Sequence, residues 1–288
     1  RSVGVPRSGM LAATMIALYL NKSLTDLESF VYNRITGGGE GTKYIKSNSS
    51  KKILIVDDSV DSGRAILKAK EKLKDKQNQY NLIYCSPIVT TKNKDLVDIY
   101  FAIIDDERIF EWNIFHHSIL NHSCMDIDGV LNIDPDVDDD GEQYRKFLNE
   151  ATPLFVPSVP VHTLISCRLE KYRQQTEEWL KRHNVTYKEL ILLDMLSKEE
   201  REKWNKHGEY KAMYYLKSKD TYLFIESSAW QAKCIAEMTH KYVFCVETNQ
   251  LLYVPPIKPT LLKRIKKKIK QMFPFLYDIY VAFKFRRN

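Results

Sequence analysis

Short apolar runs alternate along this chain with longer stretches in which apolar residues recur at helical spacing. Four consecutive apolar residues at 53–56 and a further run at 99–104 are typical of strands in an α/β sheet. The apolar stretch at 11–20 predicts a helix, and a long amphipathic helix is predicted after the run at 161–165. Strands that alternate with helices predict an α/β fold with mainly parallel sheets.

Length and composition divide the chain into two domains and a tail. The 288 residues, 44% of them apolar, suit two cores of roughly 110 to 140 residues each. We place the domains at 1–115 and 120–256 and the tail at 257–288. The five cysteines have no paired spacing, which argues against a disulfide framework and predicts a reducing, cytoplasmic setting. Because the chain begins at Arg1, almost at its first motif, we expect a segment upstream.

The net charge of +7 originates in the tail. Residues 257–288 hold ten Lys or Arg against one acid, Asp278, so the tail carries +9 and the rest of the chain −2. Apolar residues recur at helical spacing between the basic ones, which predicts a basic amphipathic helix lying on a membrane surface. These apolar residues are Leu261, Leu262, Ile265, Ile269, Met272, Phe273 and Leu276. A helix packed on the protein body or on a second subunit is the alternative, and the large aliphatic residues argue against nucleic acid as a partner.

The acids after the strand at 53–56 open a motif with a specific chemistry. Asp57 and Asp58 follow the carboxyl end of the strand, where open α/β sheets bind ligands. There they can bind ribose hydroxyls directly or through Mg²⁺. The turn that follows can direct backbone amides at a phosphate at a helix N-terminus. This turn consists of Ser62, Gly63, Arg64 and Ala65.

The pattern at 53–65 resembles the phosphoribosyl pyrophosphate (PRPP) motif of type I phosphoribosyltransferases. The resemblance covers residues 1–115 and implies that Asp61 is the general base for the acceptor. Asp61 as the N-cap of the next helix is the alternative. A structural strand-turn-helix with solvated acids is the alternative for the motif as a whole.

Two glycine-containing loops support the same family. The resemblance implies that Arg7, Ser8 and Gly9, before the helix at 11–20, hold pyrophosphate. The glycine-rich segment at 36–43 resembles the mobile loop that closes over PRPP in that family. Taken alone, the first loop is equally well a simple turn, and the second a hairpin tip.

A different signature begins the second domain. Asp126 and Asp128 stand two residues apart after a short apolar run. At the end of a strand, one carboxylate can attack phosphorus while the other donates and accepts the proton. This D-x-D-G-V sequence resembles the first motif of the haloacid dehalogenase (HAD) phosphatase superfamily. An acidic loop of the calcium-binding type is the alternative, because five further aspartates follow between 134 and 140.

Later residues resemble the remaining HAD motifs. Ser166 ends the apolar run that begins at 161, and the resemblance implies that it donates a hydrogen bond to a phosphoryl oxygen. A hydroxyl that ends a strand is also a common turn residue. Lys211 stands in a helical stretch and would neutralise the nucleophile and the phosphate, although Lys217 and Lys219 are close in sequence.

The predicted metal site of the second domain departs from the superfamily. Asp126, Asp128 and Glu226 would bind Mg²⁺ by the HAD resemblance. Two serines follow Glu226 where the superfamily usually places an aspartate, and this departure puts the metal site in doubt.

The two resemblances together imply two doubly wound α/β domains, a type I phosphoribosyltransferase fold followed by a HAD-like Rossmannoid fold. Such fusions resemble bacterial enzymes of capsule or O-antigen assembly. The implied enzyme transfers 5-phosphoribose from PRPP to a glycan or glycolipid acceptor and removes the 5-phosphate with Mg²⁺, leaving ribofuranose. It would lie in the cytoplasm, on the inner face of the cytoplasmic membrane. The alternatives are a nucleobase phosphoribosyltransferase with nucleotide phosphatase activity and a PRPP-binding regulator.

Overall fold

The computed structural model divides into two compact units. It describes residues 1–34, 51–105, 108–136 and 140–256. The units are Arg1–Arg108 and Ile109–Asn288. The segment 109–115, which the sequence assigned to the first domain, therefore packs with the second unit, where Ile114 and Phe115 join the apolar core. The predicted mobile loop at 36–43 and the predicted amphipathic tail at 257–288 lie outside the described residues.

A parallel sheet forms the first unit. Its strand order is β2-β1-β3-β5-β4, and β6 also pairs with β5. The strands are β1 (Ser2–Gly4), β2 (Leu24–Asp26), β3 (Lys52–Val56), β4 (Ser59–Val60), β5 (Asn81–Val89) and β6 (Ile99–Ile103). The helices are α1 (Gly9–Tyr19), α2 (Leu27–Val31) and α3 (Arg64–Lys72). The strands predicted at 53–56 and 99–104 and the helix predicted at 11–20 are thus present.

The position of β3 explains its apolar sequence. It lies between β1 and β5, and Ile53, Ile55 and Val56 are buried. A strand inside a parallel sheet is covered on both faces, so consecutive apolar residues are favoured there. Asp57 and Asp58 follow the carboxyl end of β3, so they lie at the edge formed by the strand ends, between β1 and β5.

The second unit contains another sheet, which is parallel apart from its last strand. The order is β12-β11-β10-β7-β8-β9, and β12 runs antiparallel to β11. Its strands are β7 (Ser123–Met125), β8 (Val161–Leu169), β9 (Tyr187–Leu193), β10 (Leu223–Glu226), β11 (Tyr242–Cys245) and β12 (Gln250–Leu252). Its helices are α4 (Gly141–Glu150), α5 (Arg173–Arg182), α6 (Lys198–Trp204), α7 (His207–Lys217) and α8 (Ala229–Thr239). The α/β class with parallel sheets, predicted from the alternation, is confirmed.

Two apolar clusters pack against this second sheet. Leu223 and Ile225 of β10 belong to one cluster, and Phe224 between them belongs to the other. Successive side chains of a strand point to opposite faces, so the sheet is covered on both sides. Of the helices in the described residues, none is long and apolar enough to span a bilayer.

Strand β8 extends beyond the predicted boundary. The sequence ends this strand at Ser166, whereas the structure continues it to Leu169 with a register shift against β9 after Ile165. Irregularities of this kind often lie next to functional sites. The prediction was wrong because the polar residues after Ile165 suggested a turn. Arg168 is in fact only 2% exposed, and an ion pair with Asp128 neutralises its charge.

Trp179 offers a test of the second core. Its side chain is 1% exposed, and its Nε1 donates a hydrogen bond to the Ala151 carbonyl at 2.8 Å. Trp179→Ala should lower the free energy of unfolding by about 3–5 kcal/mol, because it leaves a cavity and an unpartnered carbonyl. Urea denaturation followed by circular dichroism measures this loss. Trp230→Ala, at a position 58% exposed, is the control, and an equal loss there would contradict the assignment.

Candidate functional sites

In the first unit, two loops that are distant in sequence meet beside the end of β3. Ser8 Oγ donates a hydrogen bond to Asp58 Oδ1 at 2.8 Å. A Cβ atom on Gly9 would lie 2.8 Å from the Val56 carbonyl oxygen and 3.0 Å from Asp57 Cα. Only glycine permits this approach, so the close contact fixes the start of α1 beside both carboxylates.

Asp57 and Asp58 form a negatively charged site that no cation compensates among the residues that the structure describes. Asp57 is 6% exposed, and burial together with the neighbouring Asp58 carboxylate raises the pKa of Asp57 to about 7. Its Oδ1 accepts a hydrogen bond from the Asp58 amide at 3.2 Å. Oxygen ligands and excess negative charge fit Mg²⁺, which typically binds one or two carboxylates together with substrate phosphates. Asp57 and Asp58 would hold the ion.

The predicted phosphate loop begins α3. Gly63 is the N-cap with φ +76°, a conformation that favours glycine, and a Cβ atom there would collide with the Leu96 side chain. Ser62, Arg64 and Ala65 are exposed around it. The segment predicted to bind phosphate therefore lies at a helix N-terminus, and its role as a phosphate site stays a prediction.

Asp61 has two partners, Arg108 and Asn93, that the sequence analysis did not predict. Arg108 Nη2 lies 2.9 Å from Asp61 Oδ1, and Asn93 Nδ2 donates a hydrogen bond to the Asp61 carbonyl. The Arg108 side chain is 9% exposed, whereas that of Asp61 is 77% exposed. The alternative role of Asp61 as the N-cap of α3 is wrong, because Gly63 occupies that position. The carboxylate is instead oriented by an arginine and stays open to solvent.

In the second unit, two predicted carboxylates converge on one buried lysine, which was also predicted. Asp126 follows β7, and Glu226 ends the neighbouring strand β10. Lys211 of α7 places its Nζ 2.6 Å from Asp126 Oδ2 and 2.8 Å from Glu226 Oε2. All three side chains are at most 6% exposed. Burial and the Glu226 charge raise the pKa of Asp126, and the two carboxylates raise the pKa of Lys211 despite its burial.

Asp128 has a cationic partner of its own. Arg168 Nε and Nη2 donate to the two Asp128 oxygens at 2.9 and 2.6 Å, and Arg168 also donates to Asn132 and Thr176. Burial alone would raise the pKa of Asp128, but the Arg168 charge and its hydrogen bonds outweigh burial and lower it. Asp128 is therefore held as a carboxylate. Nothing in the sequence pattern distinguished Arg168 from the many exposed basic residues.

A polar cavity of about 180 Å³ connects these groups. Asp126, Asp128, Ser166 and Lys211 all line it, so the structure brings four of the predicted residues to one small space. The sequence analysis missed further lining residues, among them Asp134, Arg168, Arg201, His207 and Gln231. Several of these carry charge, and the space is large enough for a phosphoryl group.

Glu226 does not line this cavity. Its Oε1 accepts hydrogen bonds from the Ser227 amide, the Ser227 hydroxyl and the Ser228 amide, and its Oε2 faces Lys211. Across the described residues, no group of three or more His, Cys, Asp or Glu side chains is arranged to hold a metal ion. Because Asp128 and Glu226 are saturated by protein donors, the predicted set does not fit Mg²⁺ as arranged, and we derive no step through a metal ion in this unit.

Comparison with known proteins identifies the first unit. Residues 3–119 match the family model for the phosphoribosyl transferase domain, so this part of the chain forms such a domain. The resemblance predicted from 53–65 is thereby confirmed for the first part of the chain. No curated protein is significantly similar to the sequence.

Several solved structures share limited similarity with the chain. A xanthine-guanine-hypoxanthine phosphoribosyltransferase from Helicobacter pylori is 23% identical over 39% of this chain and 74% of its own, with a TM-score of 0.29. A purine phosphoribosyltransferase from Pyrococcus horikoshii Ot3 is 20% identical over 38% and 75%, with a TM-score of 0.28. An orotate phosphoribosyltransferase from Aeropyrum pernix is 22% identical over 35% and 57%, with a TM-score of 0.26. At these TM-scores the similarities carry no argument about substrate.

The raised pKa of Asp57 predicts a pH-dependent stability. The folded protein retains a proton that the unfolded chain releases between about pH 4 and about pH 7, so the wild type loses stability as pH rises through this window. Asp57→Asn removes the titration and should become more stable than the wild type by roughly 2–4 kcal/mol above pH 7. Chemical denaturation from pH 4 to pH 8 without divalent cations measures the difference. Asp75→Asn, at an exposed position, should show no such trend, and parallel curves for Asp57→Asn and wild type would contradict the charge assignment.

The Arg168–Asp128 pair predicts a second pH effect. Arg168→Gln should lower the free energy of unfolding at pH 7 by about 3–5 kcal/mol, because it leaves a buried, unpaired carboxylate. The loss should shrink toward pH 4, since without Arg168 burial raises the Asp128 pKa and the group takes up a proton. The double variant Asp128→Asn/Arg168→Gln should recover part of the stability at pH 7. Urea denaturation at both pH values checks this, and a loss that is independent of pH would contradict it.

Proposed function

We propose that this chain transfers the 5-phosphoribosyl group of PRPP to a hydroxyl of a glycan or glycolipid acceptor and then removes the 5-phosphate. One observation supports the proposal above all others. The chain carries two sites at strand ends of its two sheets: the first holds two carboxylates, Asp57 and Asp58, with no ion pair to another described residue, and the second holds a carboxylate, Asp126, and a lysine, Lys211, in a polar cavity. A phosphoribosyl product keeps its 5-phosphate, and a phosphatase in the same chain would remove it.

The first unit supplies the groups for transfer. The bond between ribose C1 and pyrophosphate breaks, the bond between C1 and the acceptor oxygen forms, and the acceptor proton passes to Asp61. Arg108 orients the Asp61 carboxylate toward solvent, where a large acceptor has access. Ser8 orients Asp58, and the amides beside Gly63 hold the 5-phosphate. When bound, Mg²⁺ would offset the charge of the departing pyrophosphate.

The second unit supplies the groups for hydrolysis. Asp126 attacks phosphorus, the bond between phosphorus and the ribose 5-oxygen breaks, and that oxygen takes a proton from Asp128. Water then attacks the phosphorylated Asp126 and returns its proton to Asp128, which releases phosphate and regenerates both carboxyl groups. Lys211 neutralises Asp126, and Ser166 donates a hydrogen bond to a phosphoryl oxygen. Because Arg168 keeps Asp128 ionised, this route requires the Arg168–Asp128 pair to weaken when substrate binds.

The same ion pair favours a second candidate function. The Arg168 charge lowers the pKa of Asp128, which makes Asp128 a poorer proton donor, and Glu226 is fully engaged by protein donors. A PRPP-binding regulator, in which the second unit binds a phosphorylated ligand without cleaving it, is consistent with both observations. The glycan acceptor and the membrane-surface tail at 257–288 are part of our proposal.

Asp126→Asn separates the two steps. The variant should lower phosphate release about a thousand-fold or more, because the amide cannot act as the nucleophile. With PRPP, Mg²⁺ and a panel of bacterial glycolipid acceptors, the wild type should add ribose, whereas Asp126→Asn should stop at phosphoribose. Mass spectrometry of the acceptors distinguishes the two products.

The matched control is Asp136→Asn, since Asp136 is an exposed acid of the same segment and does not line the cavity. It should behave as the wild type. Consumption of PRPP only with a nucleobase would overturn the glycan acceptor. If the wild type binds PRPP and neither transfers ribose nor releases phosphate, the regulator replaces the bifunctional enzyme.

A further inference from the structure

The second unit contains a larger cavity that neither proposed step uses. Its volume is about 460 Å³, within the range of roughly 300–1,000 Å³ that is usual for small-molecule sites. Four aromatic side chains contribute to its wall, two from the segment before β7, one from the segment before β8 and one from β11. They are Trp112, Phe115, Phe155 and Phe244.

Stacking holds the aromatic wall in place. Phe115 and Phe155 stack with ring centroids 4.6 Å apart and planes 4° apart, and Trp112 stacks on Phe110 at 4.7 Å and 13°. Trp112 nevertheless remains 49% exposed and Phe155 41% exposed. Large aromatic rings that are fixed by stacking and yet open to solvent offer apolar and π surface to a ligand without much loss of conformational entropy on binding.

Among the described lining residues, Glu111 is the one with a permanently charged type of side chain at neutral pH. Glu111 lines the cavity, and no lysine or arginine is among the described residues that do so. Its carboxylate is exposed and forms no ion pair with the other described residues. His116 is the remaining ionisable residue of the lining, and its Nδ1 is 2.9 Å from Ser158 Oγ. Aromatic faces and a single carboxylate both attract cations, and neither attracts an anion.

This aromatic cavity is separate from the polar cavity at Asp126. Two backbone hydrogen bonds join its wall to segments that lie beside the polar cavity. Among the described residues none lines both cavities. The Phe155 amide donates to the Val130 carbonyl at 3.2 Å, and the Val246 amide donates to the Glu226 carbonyl at 2.9 Å. Each of these bonds joins the wall of the aromatic cavity to a segment beside the candidate phosphate site.

We infer that this aromatic cavity binds an organic cation of the quaternary or tertiary alkylammonium class. The cation lies against the aromatic faces, where its apolar methyl groups displace water, and the Glu111 carboxylate offsets its charge. A neutral ligand of the same shape would lose the electrostatic contribution. A phosphate attached next to the ammonium group would meet Glu111 and an apolar wall, so a free alkylammonium compound is favoured over a phosphorylated one.

Three probes of similar shape and different charge test this inference on the full chain. They are choline, its neutral isostere 3,3-dimethyl-1-butanol, and phosphocholine, each titrated by isothermal calorimetry. Choline should bind saturably, and the neutral isostere about five-fold more weakly. Glu111→Gln should reduce choline affinity about three- to five-fold and leave the neutral isostere unchanged. Trp112→Ala should weaken choline about ten-fold.

Trp230→Ala is the matched control, because Trp230 is exposed and does not line the cavity. It should leave all three affinities unchanged, and thermal unfolding shows whether each variant is folded. Because Glu111 is exposed, Glu111→Gln tests the charge even if Trp112→Ala fails to fold. The inference is overturned if choline does not bind, if the neutral isostere binds as well as choline, or if phosphocholine binds more tightly than either.

Discussion

The second unit depends on one buried cation, the Lys211 ammonium between Asp126 and Glu226. Two buried carboxylates at neighbouring strand ends would repel each other without a cation between them. Lys211 reaches them from α7, so helix and sheet are joined through a charge network rather than through apolar contacts alone. Removal of Lys211 would leave the two buried carboxylates without the cation that lies between them. The candidate nucleophile is thus positioned by the same interaction that holds the strand ends together.

The first unit brings its charged groups together by a different route. There, Gly9 lets α1 approach the end of β3, and Ser8 contacts Asp58 without supplying a positive charge. The two carboxylates form no ion pair within the described part of the chain, and burial together with the Asp58 charge raises the pKa of Asp57. A site of this kind gains most when a cation or a set of hydroxyl donors arrives with the substrate. The repulsion lowers the free energy of unfolding while the site is empty, and ligand binding raises it again.

Sequence reasoning was reliable where local pattern decides structure. Apolar runs located β3 and β6, and the acids after β3 were placed correctly at the sheet edge because strand ends in a parallel sheet share that edge. The convergence of Lys211 on Asp126 followed from motif order. Arg108 and Arg168 were missed because an arginine in sequence looks the same whether it is solvated or paired inside the fold. The true end of β8 was missed for the same reason. Arg168 is buried there because it pairs with Asp128, 40 residues earlier in the chain.

The three sites differ in how their charges are balanced and in the groups around those charges, and these differences separate their ligands. Asp57 and Asp58 present negative charge with oxygen donors, which suits a metal ion bound together with a phosphorylated sugar. In the polar cavity at Asp126, Lys211 and Arg168 form ion pairs with the carboxylates. A phosphoryl group that enters the cavity would therefore contact cations as well as the candidate nucleophile. The aromatic cavity combines π faces with Glu111 and lacks lysine and arginine among its described lining residues, which excludes phosphate and favours an organic cation.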